Sequence, residues 1–221
     1  KMRKLIIMAV AALSVAPAMA KAKKEAVNKD TLIFTTIVEN PVTSIKNQNS
    51  SGTCWAYSSL AFLESEIIKK HPEMKDIDLC ESFLVSKTYV ARADKHVSTH
   101  GDASFSQGGS FEDAIYCMKH NGLIPEGIMP YPITLYGDSL YSFGAFFPPM
   151  EAYLKAIAES DAKKINPAWK KSLQSMLDNY FGVCPTEFEY KGKKYTPQSF
   201  VKEYLTLDPN DYVSLTSYSH Q

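Results

Sequence analysis

Cys54 and Gln48 are the two residues on which a reaction can be built. Cys54 stands in "KNQNSSGTCWAYSSLAFLES", Lys46 to Ser65, where a polar, glycine-containing loop runs straight into an apolar-periodic stretch. That junction places a thiol at a predicted helix N-terminus, whose dipole favours the thiolate, and the thiolate is the nucleophilic form. Gln48 lies six residues upstream, within reach for its side-chain amide to fold back towards the sulfur. Together with the Cys54 backbone N–H it offers two donors to a developing oxyanion in acyl transfer. Gly52 lets the backbone turn tightly between them. Trp55 shields the site and packs the helix. A lone cysteine would read as a small core residue. Glutamine, a six-residue step, cysteine and tryptophan at a loop-to-helix junction form a far more specific combination.

This stretch resembles the papain-like cysteine peptidases, whose signature is C-G-[SA]-C-[WY]; here it reads Ser51-Gly52-Thr53-Cys54-Trp55. Ser51 replaces the first cysteine of the signature, so the structural disulfide usual in secreted members is not available there. Within the group, "QNSSGTCWAYSS" is similar to the bleomycin hydrolase / aminopeptidase C branch, and "FSQGGSFEDAIYCMKHNGLIPEGIMPY", Phe105 to Tyr131, supports this. The resemblance implies an α+β papain-like fold, mainly its helical half, with a helical insertion. It implies hydrolysis of peptides by a cysteine thiolate through an acyl-enzyme, of aminopeptidase type, with Cys54 and Gln48 as the catalytic pair. Gly108, Gly109 and Trp55 would bind substrate. A Gly-Gly pair suits that duty because an extended peptide needs bare backbone to pair with. No metal and no organic cofactor is implied. "LCESFLVS", Leu79 to Ser86, resembles the second-helix motif of the group, with Cys80 where serine is usual. The helical stretch from about Met150 to Leu205 resembles the branch's insertion, which serves subunit contacts there and so implies a homo-oligomer.

A peptidase of this group also needs a histidine, oriented by an asparagine, roughly 130–150 residues beyond the cysteine. Counted from Cys54, that window covers about residues 184–204 and contains no histidine. His71, His96, His100 and His120 come too early for the family order, and His220 is the second-last residue. His96 and His100, four apart, lack a third ligand for a metal and read as solvated surface residues. The expectation is the nucleophile half of a longer enzyme, without the half that brings histidine and asparagine. The competing class is an exported, non-catalytic peptide-binding or scaffold fragment that keeps the cleft wall.

The elements that must hold these residues follow from periodicity. Ala56, Leu60, Leu63 and Ile67 recur at helical spacing, predicting a helix from about Cys54 to Lys70 that Pro72 ends. Leu79, Phe83 and Val90 mark a second helix. Gly101 to Gly109 is a loop, and Ser110 caps a third helix with Asp113 completing a capping box, stopped at Asn121-Gly122. "LIPEGIMPYPI" is extended or looped. Helices follow near Met150–Lys164 and Asn166–Tyr180, the latter with Pro167 at its first position and Gly182 just past its end. "FEYKGKKYT" reads as a hairpin around Lys191-Gly192, and Thr196-Pro197 starts a short helix. Two strands are also expected: "TLIFTTIV", Thr31 to Val38, and the closing "DYVSLTSYSH". The resulting division is leader and first strand over 21–47, nucleophile subdomain over 48–136, and insertion with the start of a sheet half over 137–221.

Composition bounds the alternatives. Hydrophobic residues make up 45% of the 221, enough for a substantial core, and Lys+Arg and Asp+Glu are both 24. Zero net charge argues against a nucleic-acid partner, which selects a basic excess. Lys1, Arg3 and Lys4, then "LIIMAVAALSVA", then "AMA" at Ala18 to Ala20 form the three regions of a signal peptide over 1–20, so the chain is expected to be exported and cleaved before Lys21. No later segment has the ~18 apolar residues of a membrane span. The spacing of Cys54, Cys80, Cys117 and Cys184 gives no zinc pattern, and Cys80 and Cys117 read as buried core thiols.

Overall fold

The computed structural model describes residue 32, residues 34–129 and residues 143–215. The chain forms two compact units, Lys1–Glu39 and Asn40–Gln221. In the first unit the expected strand does not form among the described residues, and Leu32, Phe34, Ile37 and Val38 are exposed. β-propensity alone does not make a strand; a ladder partner is required. The expected signal peptide lies outside the described residues.

The second unit is built on helices. Helix α1 spans Cys54–Lys70, α2 Glu81–Ser98, α3 Phe111–His120, α4 Phe147–Ala158 and α5 Trp169–Phe181. Strands β1, Phe188–Tyr190, and β2, Lys193–Tyr195, form an antiparallel hairpin with Phe188 opposite Tyr195. A short helix α6, Pro197–Ser199, continues into a π-helical turn over Phe200–Leu205. Helix α2 is the hub, packed against α1, α3, α4 and α5. Its Phe83, Leu84, Tyr89 and Ala93 are buried, as are Ala56, Leu60, Leu63 and Ile67 on the predicted face of α1. Tyr89 meets Phe105 edge-on at 5.6 Å between ring centres, and Phe105 stacks on Phe147 at 5.5 Å. This aromatic cluster ties the loop after α2 to α4. Cys80 and Cys117 are buried as expected, and burial raises both thiols above the usual range.

Local signals account for most boundaries. Helix α3 carries the expected box: the Ser110 N–H donates to the Asp113 carboxylate at 2.8 Å. Gly122 follows with φ +82, and a Cβ there would lie 2.2 Å from the Pro197 carbonyl carbon, so close approach and backbone conformation both demand glycine. Lys191 and Gly192 have φ of +49 and +78, the left-handed pair of a tight hairpin turn. Helix α4 begins three residues earlier than predicted, because Pro148 and Pro149 fit a first helical turn, and ends at Ala158 rather than Lys164. Helix α5 starts at Trp169, two residues beyond Pro167, and Gly182 closes it with φ +86. The closing strand does not form among its described residues: Asp211 ends a 3-10 turn, Tyr212 to Leu215 are irregular, and Val213 and Leu215 are exposed. Residues 216–220 of that stretch, and 130–133 of the proline-punctuated passage, lie outside the described residues.

A half-buried ionic cluster anchors the chain just before Gln48. Lys46 Nζ donates to Glu64 at 3.1 Å, Asp78 at 2.5 Å, Glu81 at 2.8 Å and the Leu79 carbonyl at 3.3 Å. Glu64 is fully buried and also accepts from Thr43 Oγ1 and the Leu79 N–H. Four carboxylates surround one ammonium once Glu126 is counted among those acting on Lys46 and Glu81. Burial outweighs the lysine for Glu81 and pushes its carboxyl up to about 7; burial raises Glu126 as well. A carboxyl raised on folding stabilises the fold below its unfolded value and loses that contribution as pH climbs through the folded value. A rise from 4.5 to about 7 corresponds to about 3 kcal/mol. Urea unfolding should therefore show stability falling between pH 4.5 and pH 7.5. In Glu81→Gln the fall should be visibly smaller, leaving the part due to Glu126. Equal slopes in the two proteins would remove Glu81 as its source.

Candidate active site

Helix α1 begins at Cys54 itself, with Thr53 as its N-cap. The Cys54 backbone N–H is therefore one of the first-turn amides that have no partner inside the helix. Its thiol is exposed. The Thr53 side chain, 2% exposed as a residue, makes no capping bond and instead shares a hydrogen bond with Ser51 Oγ at 2.7 Å. Ser51 Oγ donates to the Gln48 carbonyl at 2.9 Å, and Gln48 Nε2 donates to the Ser51 carbonyl at 2.7 Å. Gln48 is thus fastened to the residue three before the thiol. One amide hydrogen of Gln48 is used in that bond and the second is left for another acceptor.

The glycine loop lies alongside. Gln107 Oε1 accepts from the Gly52 N–H at 2.8 Å, and the Gln107 carbonyl accepts from the Trp55 indole at 3.0 Å and the Tyr89 hydroxyl at 3.1 Å. Burial pushes the Tyr89 phenol well above its usual range, so it stays a donor. Trp55 is 6% exposed and sits directly beneath Gly109, where a Cβ would fall 2.6 Å from the indole ring. Gly108 is exposed and open on its side-chain side. Its carbonyl accepts from Arg92 Nη1, which also reaches the Ser106 carbonyl at 3.4 Å, while Arg92 Nε pairs with Asp113 at 3.7 Å. Nucleophile loop and glycine loop are thereby held as one surface, with Cys54, Gln48, Gly108 and Gly109 on adjoining segments.

The four described histidines lie at or just beyond the C-terminal ends of helices. His71 follows the last residue of α1, about 25 Å from Cys54 at 1.5 Å per residue, and bonds to Thr206 Oγ1 at 2.6 Å. His96 Nδ1 bonds to the Ala103 carbonyl at 2.6 Å, and His120 lies against Tyr116 at the end of α3. His100 sits past α2 with φ +52, and His220 is outside the described residues. Among the described residues no group of three His, Cys, Asp or Glu could hold a metal ion, and no helix is long and apolar enough to cross a membrane.

Gln107, Arg92 and Tyr89 were not singled out by the sequence. Arg92 had a signal: the only other arginine is Arg3, and a lone arginine among lysines marks a place needing a planar, multi-donor head. Gln107 had none beyond its position before the glycine pair.

Comparison with known proteins gives the family and the fold. The family model "Papain family cysteine protease" matches residues 35–179. Aminopeptidase G of Lactobacillus delbrueckii subsp. lactis is 29% identical over 219 residues, covering 85% of this chain and 49% of that protein. Aminopeptidase E of Lactobacillus helveticus is 26% identical over 223 residues, with 85% and 50% coverage. The mitochondrial cysteine proteinase 1 of Saccharomyces cerevisiae is 23% identical over 232 residues, with 85% and 46% coverage. The crystal structure of PepW from Lactobacillus rhamnosis HN001 (DR20) superposes with a TM-score of 0.56 at 20% identity, covering 80% of this chain and 47% of that one. The chain spans about half the length of the curated relatives it matches.

Proposed function

The chain belongs to the papain family of cysteine proteases, and from that premise we propose that it carries the nucleophile side of a cysteine aminopeptidase active site. Cys54 attacks the carbonyl carbon of the N-terminal peptide bond, and the oxygen takes up charge between the Cys54 N–H and the free hydrogen of Gln48 Nε2. The Gly109 backbone pairs with substrate, since the Gly108 carbonyl is already engaged by Arg92. Trp55 forms the floor under that glycine. The observation that carries the reading is the exposed Cys54 thiol at the first position of α1, beside a loop in which the Gln48 amide folds back onto the Ser51 carbonyl. Aminopeptidase action is supported by the names of the two Lactobacillus relatives. The base and its orienting asparagine come from sequence other than the described residues, because the described histidines are placed elsewhere. A peptidyl thiol-reactive probe offered to the protein expressed from its full reading frame should label Cys54. Labelling confined to other cysteines, with no hydrolysis of an aminoacyl-amide reporter, would favour the non-catalytic peptide-binding reading.

We also propose export. The order of charged, apolar and small-residue regions over 1–20 supports it. N-terminal sequencing of the protein from its host should begin at Lys21; recovery of an intact N-terminus from the cytoplasm would refute it.

A further inference from the structure

We propose that Gln107 is a positioning residue for the oxyanion donor, acting on Gln48 through the Ser51–Gly52 peptide. The proposal rests on the reading of Cys54 and Gln48 given above and extends it to a residue of the opposite loop. A trans peptide carries its C=O and N–H on opposite edges of one rigid plane. On one edge of this plane the Gly52 N–H donates to Gln107 Oε1 at 2.8 Å; on the other, the Ser51 carbonyl accepts from Gln48 Nε2 at 2.7 Å. The two glutamines therefore clamp the same peptide from both sides. Turning that plane over would remove the acceptor that orients Gln48 and present an N–H in its place.

Gln107 is suited to hold the plane because it is itself immobilised. Trp55 of α1 and Tyr89 of α2 both donate to its carbonyl, filling its two lone pairs. A Cβ on Gly52 would fall 2.8 Å from Gln107 Cβ, so the two loops meet with no space for a side chain between them. The glycine that allows this contact is also the residue that resists rotation of the plane least, which is where an external clamp has most to do. Ser51, standing where the family signature has cysteine, leaves this hydrogen bond as the cross-loop link that the described residues supply at Gly52.

The test uses the protein expressed from its full reading frame and an aminoacyl-amide reporter. Gln107→Met keeps length and removes the acceptor. It should lower kcat about tenfold with KM changed by no more than about twofold, the effect of one lost orienting bond. Gln107→Glu keeps the acceptor oxygen and should restore kcat. In a Gln48→Ala background Gln107→Met should cost nothing further, since the residue it positions is gone. An unchanged kcat in Gln107→Met, or the same tenfold loss in both backgrounds, would overturn the proposal. Gln107→Ala carries the same comparison if the methionine variant does not fold, and failure of both to fold would make Gln107 a folding residue and equally overturn it. A wild type inert on the reporter would be a failure of the peptidase reading instead. Even then the Gln48 side-chain amide resonance reads the clamp: it should move in Gln107→Met and stay in Gln107→Glu, and an unmoved resonance would overturn the proposal.

Discussion

Cys54→Ser, made in the full reading frame, is expected to lower kcat by on the order of 10⁴–10⁶ while leaving thermal unfolding unchanged. The thiol is exposed and takes part in none of the bonds that hold the loop, which run through Gln48, Ser51, Thr53 and Gln107. Serine is therefore accommodated, but its hydroxyl is a poor nucleophile without a base matched to it. Residual activity above about one per cent would mean that another group attacks the carbonyl. The same chemistry bears on the 221 residues taken alone. A helix terminus contributes about 0.3–1 kcal/mol at an exposed site, and the departing amine still needs a proton donor. The four described histidines lie at or just beyond helix C-terminal ends, whereas Cys54 opens α1, so these residues by themselves should release no product. A segment bringing histidine and asparagine, in cis or as a complementing fragment, should restore turnover. Cys54-dependent hydrolysis by the 221 residues alone would instead assign the base to His220 or another of the five histidines.

Gln48→Ala is expected to lower kcat by on the order of 10²–10³ with little change in KM. The amide makes its contribution only when negative charge appears on the carbonyl oxygen, so ground-state binding should barely register its loss. Truncation also removes the bond to the Ser51 carbonyl, but Ser51 stays tied to the Gln48 backbone and to Thr53. The loop should keep its course, which circular dichroism and probe labelling of Cys54 can verify. An unchanged kcat would mean that the second hydrogen of Gln48 never meets the oxyanion.

Much of this is legible in the sequence. The start and end of α1, the capping box at Ser110 and Asp113, and the turn at Lys191-Gly192 are local devices, and each is written in the residues that perform it. The glutamine-to-cysteine spacing is likewise local, and the Gln48 amide bonds to the Ser51 carbonyl within that same loop. What was not legible depends on partners distant in sequence. Gln107 meets Gly52 across 55 residues, and Lys46 meets Glu81 across 35, with nothing in either side chain to announce the match. The absence of the two expected strands among the described residues has the converse cause. Thr31–Val38 and the residues after Asp211 have strand-forming composition, but a strand is a property of a pair, and composition reports only one member. The start of α4 was missed because two prolines look like a break when read locally, whereas a first turn has no amide bond for them to remove.

The four cysteines differ so sharply in access that the chain is, in practice, a singly tagged protein. Cys80 and Cys117 are sealed in the core, Cys184 is partly covered with its sulfur 3.6 Å from Ser86 Oγ, and Cys54 alone is exposed. Burial raises all three of the others towards the unreactive thiol form. A disulfide-exchange resin should therefore capture the folded protein through one bond and release it on mild reduction, and a fluorophore or spin label should go to the start of α1 without removal of any other cysteine. Material that has lost its fold would bind through several sulfurs and elute late, so a purification step becomes an assay of the folded fraction.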